Sequence, residues 1–145
     1  DEAVGEAMAA ALLGAGAAGQ RVLLPRGDMA RGQLPEALRA AGAACDDIVA
    51  YRTVCPAALP AEVLERFDKC ELDWITLTSP SSLHHLLDLV GGERAGRLRT
   101  IRLASIGPVT SRAISKAGLT VAAQADPHDV PGLVEAICRA VSSRT

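Results

Sequence analysis

Two short stretches of the chain place small hydroxylated residues and a proline directly after an apolar run. One is Trp74-Ile75-Thr76-Leu77-Thr78-Ser79-Pro80-Ser81-Ser82. The other is Ile101-Arg102-Leu103-Ala104-Ser105-Ile106-Gly107-Pro108-Val109-Thr110. Each pattern predicts a strand running into a helix. The first N–H groups of a helix have no intrahelical acceptor and sit at the positive end of its dipole, so they suit a carboxylate or phosphate. Two such turns predict a cleft that reads an anionic ligand at several points, through Ser79, Pro80, Ser81 and Ser82 on one side and Ile106, Gly107, Pro108, Val109 and Thr110 on the other. No G-x-S-x-G elbow surrounds the serines, so helix capping, alone or with anion contact, is their expected role rather than nucleophilic attack. Arg26 follows a third apolar run, where it could meet an acidic ligand or face solvent. Tyr51, the single tyrosine, lies in a predicted strand and could pack in the sheet or turn its phenol to the cleft.

Other chemistry-bearing residues point nowhere. Gly14-Ala15-Gly16-Ala17-Ala18-Gly19 spells G-x-G-x-x-G, but it follows a predicted helix and precedes a strand, the reverse of the dinucleotide order. His84 and His85 are adjacent on a predicted helix and so diverge, whereas paired metal ligands recur at i, i+4. No metal site is expected. Cys45, Cys55, Cys70 and Cys138 contain no C-x-x-C pair, and read as reduced thiols of a cytosolic protein.

The 145 residues are 49% hydrophobic, enough for a core and too apolar for disorder. A net charge of −2 argues against a nucleic-acid partner, and three aromatic residues (Tyr51, Phe67 and Trp74) leave little with which to stack bases. No apolar run approaches the ~20 residues of a membrane span, and no secretory leader is expected. Attraction for a polyanion must therefore be local.

The elements that would position these residues alternate in period. Residues 2–13 read as a helix and Arg21 to Pro25 as a short buried strand. Leu34, Ala37, Leu38 and Ala41 give a helix that stops at Gly42. Asp47 to Val54 reads as a strand, broken by Pro56 to Pro60, and Val63, Leu64 and Phe67 mark a helix. Trp74 to Thr78 is the next strand. Leu83, Leu86, Leu87 and Val90 then form one helical face, ended at Gly91-Gly92. A strand over Ile101 to Ile106 precedes a helix that stops at Gly118. After a strand over Leu119 to Ala123, Asp129 caps a helix with the stripe Val130, Leu133, Val134, Ile137 and Val141. This alternation predicts an α/β protein of parallel sheets with flanking helices, whose ligands bind at the C-terminal strand ends. The strand ends carry no acidic pocket. Read this way alone, the five strands could form one flavodoxin-like sheet.

From Gln20 onward the sequence resembles the uroporphyrinogen-III synthase family. The resemblance rests on Arg21-Val22-Leu23-Leu24-Pro25-Arg26-Gly27-Asp28, Leu34 to Leu38 and Val49-Ala50-Tyr51-Arg52-Thr53-Val54. It also rests on Asp73 to Ser82, on Ala104 to Thr110 followed by Ala113, and on Pro131 to Ile137. Either serine or glycine-proline turn alone would be weak; their combination and order are specific. The resemblance implies two flavodoxin-like domains facing a cleft, joined by two linker strands. Mapped here, residues 1–50 resemble the C-terminal part of the second domain, 51–60 the returning linker and crossing, and 61–145 most of the first domain without its N-terminal strands. The chain is accordingly expected to be a fragment, a truncated gene product or half of a cleaved protein, with a complementing N-terminal half or a homo-oligomer as partner.

The family's reaction, as the resemblance implies it, takes the linear tetrapyrrole hydroxymethylbilane to uroporphyrinogen III in the cytoplasm, with no metal or organic cofactor. Loss of the terminal hydroxyl as water gives an azafulvene at ring A. The substituted α-carbon of ring D attacks it to form a spiro intermediate, which fragments and recloses with ring D inverted. Folding the bilane into one geometry is the main task. The resemblance casts Tyr51 as proton donor to the departing hydroxyl, and a phenol keeps its proton at neutral pH. Arg26, Gly27 and Thr53 join the two turns as substrate contacts. The rival reading is a non-catalytic, flavodoxin-like module binding a small anion, or a regulatory one.

Overall fold

The computed structural model describes residues 2–30 and 32–143. The chain divides into two compact units, Asp1–Val54 and Cys55–Thr145.

The first unit contains α1 (Glu2–Gly14), β1 (Arg21–Gly27), α2 (Gln33–Ala40) and β2 (Ala44–Tyr51). The Gly14 to Gly19 run joins helix to strand, as its order in the sequence requires. Gly42 ends α2 at φ 85°, a left-handed conformation that glycine adopts without a Cβ penalty. The strands pair in parallel, from Arg21 with Ala44 to Gly27 with Tyr51. β2 therefore starts and stops three residues earlier than its apolar pattern suggests. Its pairing is set by β1, which ends at Gly27 and offers no neighbour to Thr53 or Val54. One sheet face packs on the helices through Leu24, Leu38 and Ala43, with Leu12, Leu34 and Val22 around them. β1 is not the buried strand expected: on its other face Leu23 is 61% exposed, and Ile48 of β2 is 47% exposed. No helix among the described residues of this unit covers that face.

The second unit contains α3 (Ala61–Asp68), β3 (Trp74–Leu77), α4 (Pro80–Ala95), a 3-10 turn (Gly96–Arg99), β4 (Arg102–Ser105), α5 (Pro108–Lys116), β5 (Val121–Gln124) and α6 (Val130–Ser142). Its sheet is parallel in the order β3-β4-β5. The five strands thus form two sheets among the described residues, not the single flavodoxin-like sheet that the strand count alone allows. Alternation along β4 sends Leu103 into a core with Phe67, Leu77, Leu83, Val90 and Ile114. It sends Ala104 to the opposite face, against Ala125 and Leu133. Both faces are covered, as parallel strands require. The Leu83-Val90 stripe of α4 is buried as expected, and α4 is broken at Gly91, whose φ of 73° and ψ of 164° lie outside the helical region.

The α6 stripe is the expected one in part: Leu133 and Ile137 pack in the core, but the buried face is rotated away from the valines. Val130, Val134 and Val141 are 63%, 55% and 49% exposed, while Gly132, Leu133 and Ala136 are buried. The close approach of the helix start to the preceding loop sets this rotation. Asp129 caps α6 by accepting from the Gly132 N–H at 2.7 Å, and a Cβ at Gly132 would overlap the Pro127 carbonyl oxygen.

Asp68 at the end of α3 accepts from Arg94 Nε at 2.7 Å and Nη2 at 3.1 Å. These hydrogen bonds, helped by the charges of Arg94 and Arg97, hold the Asp68 carboxyl below the usual carboxylate range. A folded-state pKa below the unfolded one contributes stability that is complete above the unfolded value and is lost as pH falls through the folded one. Urea unfolding between neutral pH and pH ~3 should therefore show an acid-dependent loss. Asp68→Asn should lower stability at neutral pH and flatten that loss. An unchanged pH profile would place the acid sensitivity elsewhere.

Candidate functional site

The residues singled out for chemistry fall into two groups, one per unit, and each group lies at C-terminal strand ends. In the first unit, Arg26 and Gly27 end β1 and Tyr51 ends β2. The Tyr51 ring lies directly over Gly27: a Cβ there would stand 2.8 Å from Cε2 and 3.1 Å from the phenol oxygen. Glycine is needed here for close approach. Tyr51 is 65% exposed, so it is not packed into the sheet and its hydroxyl is open to solvent or ligand. Beyond the strand ends, the Asp28 N–H donates to the Tyr51 carbonyl at 3.0 Å. The Asp28 carboxylate accepts from the Thr53 N–H, also at 3.0 Å. These bonds fix the backbone that follows the tyrosine.

Arg26 is engaged within the protein. Its Nε and Nη2 donate to the two Asp47 carboxylate oxygens at 2.7 and 2.6 Å. The hydrogen bonds hold Asp47 below the usual carboxylate range and raise Arg26. A bidentate pair fixes the guanidinium plane, so a ligand carboxylate reaching Arg26 would share it with Asp47.

In the second unit, both turns open helices at one edge of the three-stranded sheet. Ser79 is extended and caps α4, accepting from the Ser82 N–H at 3.1 Å. Its Oγ also lies 2.9 Å from Ser81 Oγ and 2.6 Å from Ser82 Oγ, forming a half-buried hydroxyl cluster. Pro80 occupies the first helical turn, where its missing N–H costs nothing. Gly107 precedes α5 with no side-chain cap, and the backbone ladder begins with Ser111 N–H donating to Gly107 at 3.0 Å. The N–H groups of Val109 and Thr110 precede that ladder, at the start of the helix. Thr110 is 2% exposed as a whole residue, so neither its hydroxyl nor its backbone is open at the surface, whereas Val109 beside it is half-buried. Ile106 is half-buried, beneath the turn.

Four further residues at this edge were not legible in the sequence. His128 lies over Gly107, where a Cβ would meet its Cγ at 3.2 Å, and its Nδ1 is 2.8 Å from the Ala125 carbonyl. It walls one side of the Gly107 turn. The buried Ser105 hydroxyl lies 2.6 Å from Ser111 Oγ, which donates to Gln124 Oε1 at 2.6 Å. This chain of hydrogen bonds ties β4, α5 and β5 below the turn. Contacts across such sequence separations leave no local signal.

His84 is exposed and His85 half-buried on successive α4 positions. No cluster of three potential metal ligands occurs among the described residues. Cys45 is half-buried, and Cys55, Cys70 and Cys138 are exposed free thiols. No helix among the described residues is long and apolar enough to cross a membrane.

Ser79→Ala should cost about 1 kcal/mol in urea unfolding by loss of the α4 cap. A cost near zero would show that the hydroxyl cluster does not hold the turn.

Known proteins match this arrangement. Residues 1–135 match the family model described as uroporphyrinogen-III synthase HemD. The chain is 31% identical over 125 residues to a uroporphyrinogen-III synthase of Synechococcus elongatus, covering 83% of this chain and 47% of the relative. It is 27% identical over 124 residues to that of Chlorobaculum parvum, covering 85% and 50%. The chain thus spans about half the length of these relatives. Among solved structures, a mutant uroporphyrinogen III synthase of Thermus thermophilus shares the fold at a TM-score of 0.57 and 16% identity, covering 93% of this chain and 55% of that one.

Proposed function

The chain belongs to the uroporphyrinogen-III synthase family, and we propose that it supplies part of the machinery that closes hydroxymethylbilane to uroporphyrinogen III with inversion of ring D. The observation that carries this reading is the pair of helix-opening turns at one edge of the β3-β4-β5 sheet, 79–82 and 106–110. Both are built from small residues and a proline that leave backbone N–H groups for carboxylates. The substrate is a flexible chain rich in carboxylates. Holding several of them fixes the bilane's fold, and intramolecular closure needs correct geometry more than side-chain chemistry. Tyr51 donates the proton as the hydroxyl leaves. Gly27 lets its ring lie flat on the strand end, and the Asp28–Thr53 bond steadies the following backbone.

Because the chain spans half of its relatives, the reading includes a partner: a complementing N-terminal half, or a second copy of this chain. The work is set in the cytoplasm, where unpaired thiols stay reduced.

The deciding experiment supplies hydroxymethylbilane to the chain, alone and with the complementing half, and resolves the type I and type III products. An excess of type III is expected in at least one preparation. Type I alone, the product of spontaneous closure, would leave a non-catalytic module that binds small anions. Ser81→Ala and Thr110→Ala should each lower type III turnover only slightly, because the backbone N–H groups remain. A loss as large as that of Tyr51→Phe would assign the hydroxyls a direct part.

A further inference from the structure

A cavity of about 920 Å3 lies at the other edge of the three-stranded sheet, within the size range of small-molecule sites. Trp74 opens β3, Arg102 opens β4 and Thr120 immediately precedes β5, and all three line it. The turns at 79–82 and 106–110 follow the opposite ends of parallel strands. The cavity therefore shares no lining residue with them.

The lining is basic at the rim and apolar at the floor. Arg97, Arg99 and Arg102 contribute three guanidinium groups against one carboxylate, Asp73. Arg97 is anchored by donating to the Asp68 carbonyl. Arg102 donates to Asp73 Oδ1 at 3.3 Å, but the Asp73 side chain is 83% exposed, so this pair is weakly held. Arg99 makes no ion pair among the described residues. The Arg102 guanidinium carbon stands 4.8 Å from the centre of the Trp74 ring, a cation–π arrangement that presents an aromatic plane and a charged fork together. Phe67 and Leu98, 2% and 1% exposed, close the floor.

We infer that this cavity binds a flat, largely apolar molecule carrying two or more carboxylates. The arginines take the acid groups, for which their planar forks are matched, and Trp74 takes the flat body. In naming a carboxylated tetrapyrrole as the natural occupant the inference rests on the family reading; the binding itself does not. A tetrapyrrole held here, at the edge away from the two turns, occupies a second and non-reacting site through which substrate or product can regulate the first.

Trp74 is the only tryptophan in the chain, so its fluorescence reports this cavity alone. The test titrates the chain with benzenehexacarboxylate, a flat polycarboxylate, and then displaces it with coproporphyrin. A saturable change is expected, reversed by the porphyrin and not reproduced by inorganic phosphate at equal ionic strength. Arg97→Gln and Arg99→Gln should each weaken binding about tenfold, the worth of a charge-assisted hydrogen bond. Arg99→Lys should weaken it less, and Ser81→Ala not at all. An absent or unsaturable change, an equal effect of phosphate, or an affinity unmoved by Arg99→Gln would overturn the inference. Should Arg97→Gln disturb the fold through Asp68, exposed Arg99 carries the test, its folding checked by the unfolding transition. A chain that binds the probe but makes no type III product loses the proposed activity and keeps the cavity; the opposite pair of results does the reverse.

Discussion

Tyr51→Phe is expected to lower type III turnover about a hundredfold, the lower end of what a positioned general acid supplies, while leaving the unfolding transition within ~0.5 kcal/mol of the parent. The two halves of this expectation have separate causes. The ring lies on Gly27 at the end of β1, and phenylalanine keeps that contact. The hydroxyl belongs to a residue 65% exposed, so removing it leaves no buried group unsatisfied. What disappears, under the proposed function, is the proton for the departing hydroxyl. Gly27→Ala makes a complementary case. Its Cβ would come within 2.8 Å of the tyrosine ring, which must swing away from the strand end. Turnover should fall with little change in stability, because an exposed ring can move without opening a core. The measurement is steady-state formation of type III product, in whichever preparation proves active, beside urea unfolding of each variant. Unchanged turnover in Tyr51→Phe removes the phenol from the mechanism. A matching loss of stability would make it a packing residue instead.

Gly132→Ala is expected to be the most damaging single-methyl change in the second unit, costing about 2 kcal/mol or more. The added carbon would overlap the Pro127 carbonyl oxygen and stand 3.1 Å from Asp129 Oδ1. Pro127 presents backbone, which cannot rotate aside as a side chain can. Either the first turn of α6 lifts or the loop at 126–129 is displaced. Both weaken the Asp129 cap and the burial of Leu133 and Ala136. Asp129→Ala, which removes only the cap, should cost about 1 kcal/mol. Urea unfolding of the two variants side by side checks the ranking. A Gly132→Ala cost below that of Asp129→Ala would mean that helix and loop do not approach so closely.

The alternation of strand and helix is readable because each apolar run is short and every helix but α3 ends at a glycine or opens at a capping residue. Gly42 and Gly118 sit at such ends with positive φ and Gly91 at the break in α4, and Ser79 and Asp129 cap as their types suggest. The serine and glycine-proline turns are legible for the same reason, since each is written in consecutive residues. What escapes is whatever depends on a distant partner. Of the expected α6 stripe, Leu133 and Ile137 do face the core, but Val130, Val134 and Val141 join it only because valine is apolar. The buried face is chosen instead by Gly132, whose missing side chain lets the helix approach the loop. The limits of β2 follow β1 rather than its own composition. Arg26 reads as an open cation, yet it finds Asp47 across the parallel ladder at a separation of 21 residues. His128 reaches Gly107 in the same long-range way.

The uncovered face of the β1-β2 sheet bears on how the protein behaves in a tube. Ile48-Val49-Ala50-Tyr51 is a short run of strand formers, bracketed by Asp46 and Asp47 before it and Arg52 after it. Such flanking charges act as gatekeepers against self-assembly of apolar segments. Asp46→Asn weakens the guard on one side while leaving the Arg26–Asp47 pair intact, so a concentrated sample of that variant should turn cloudy from this strand outward.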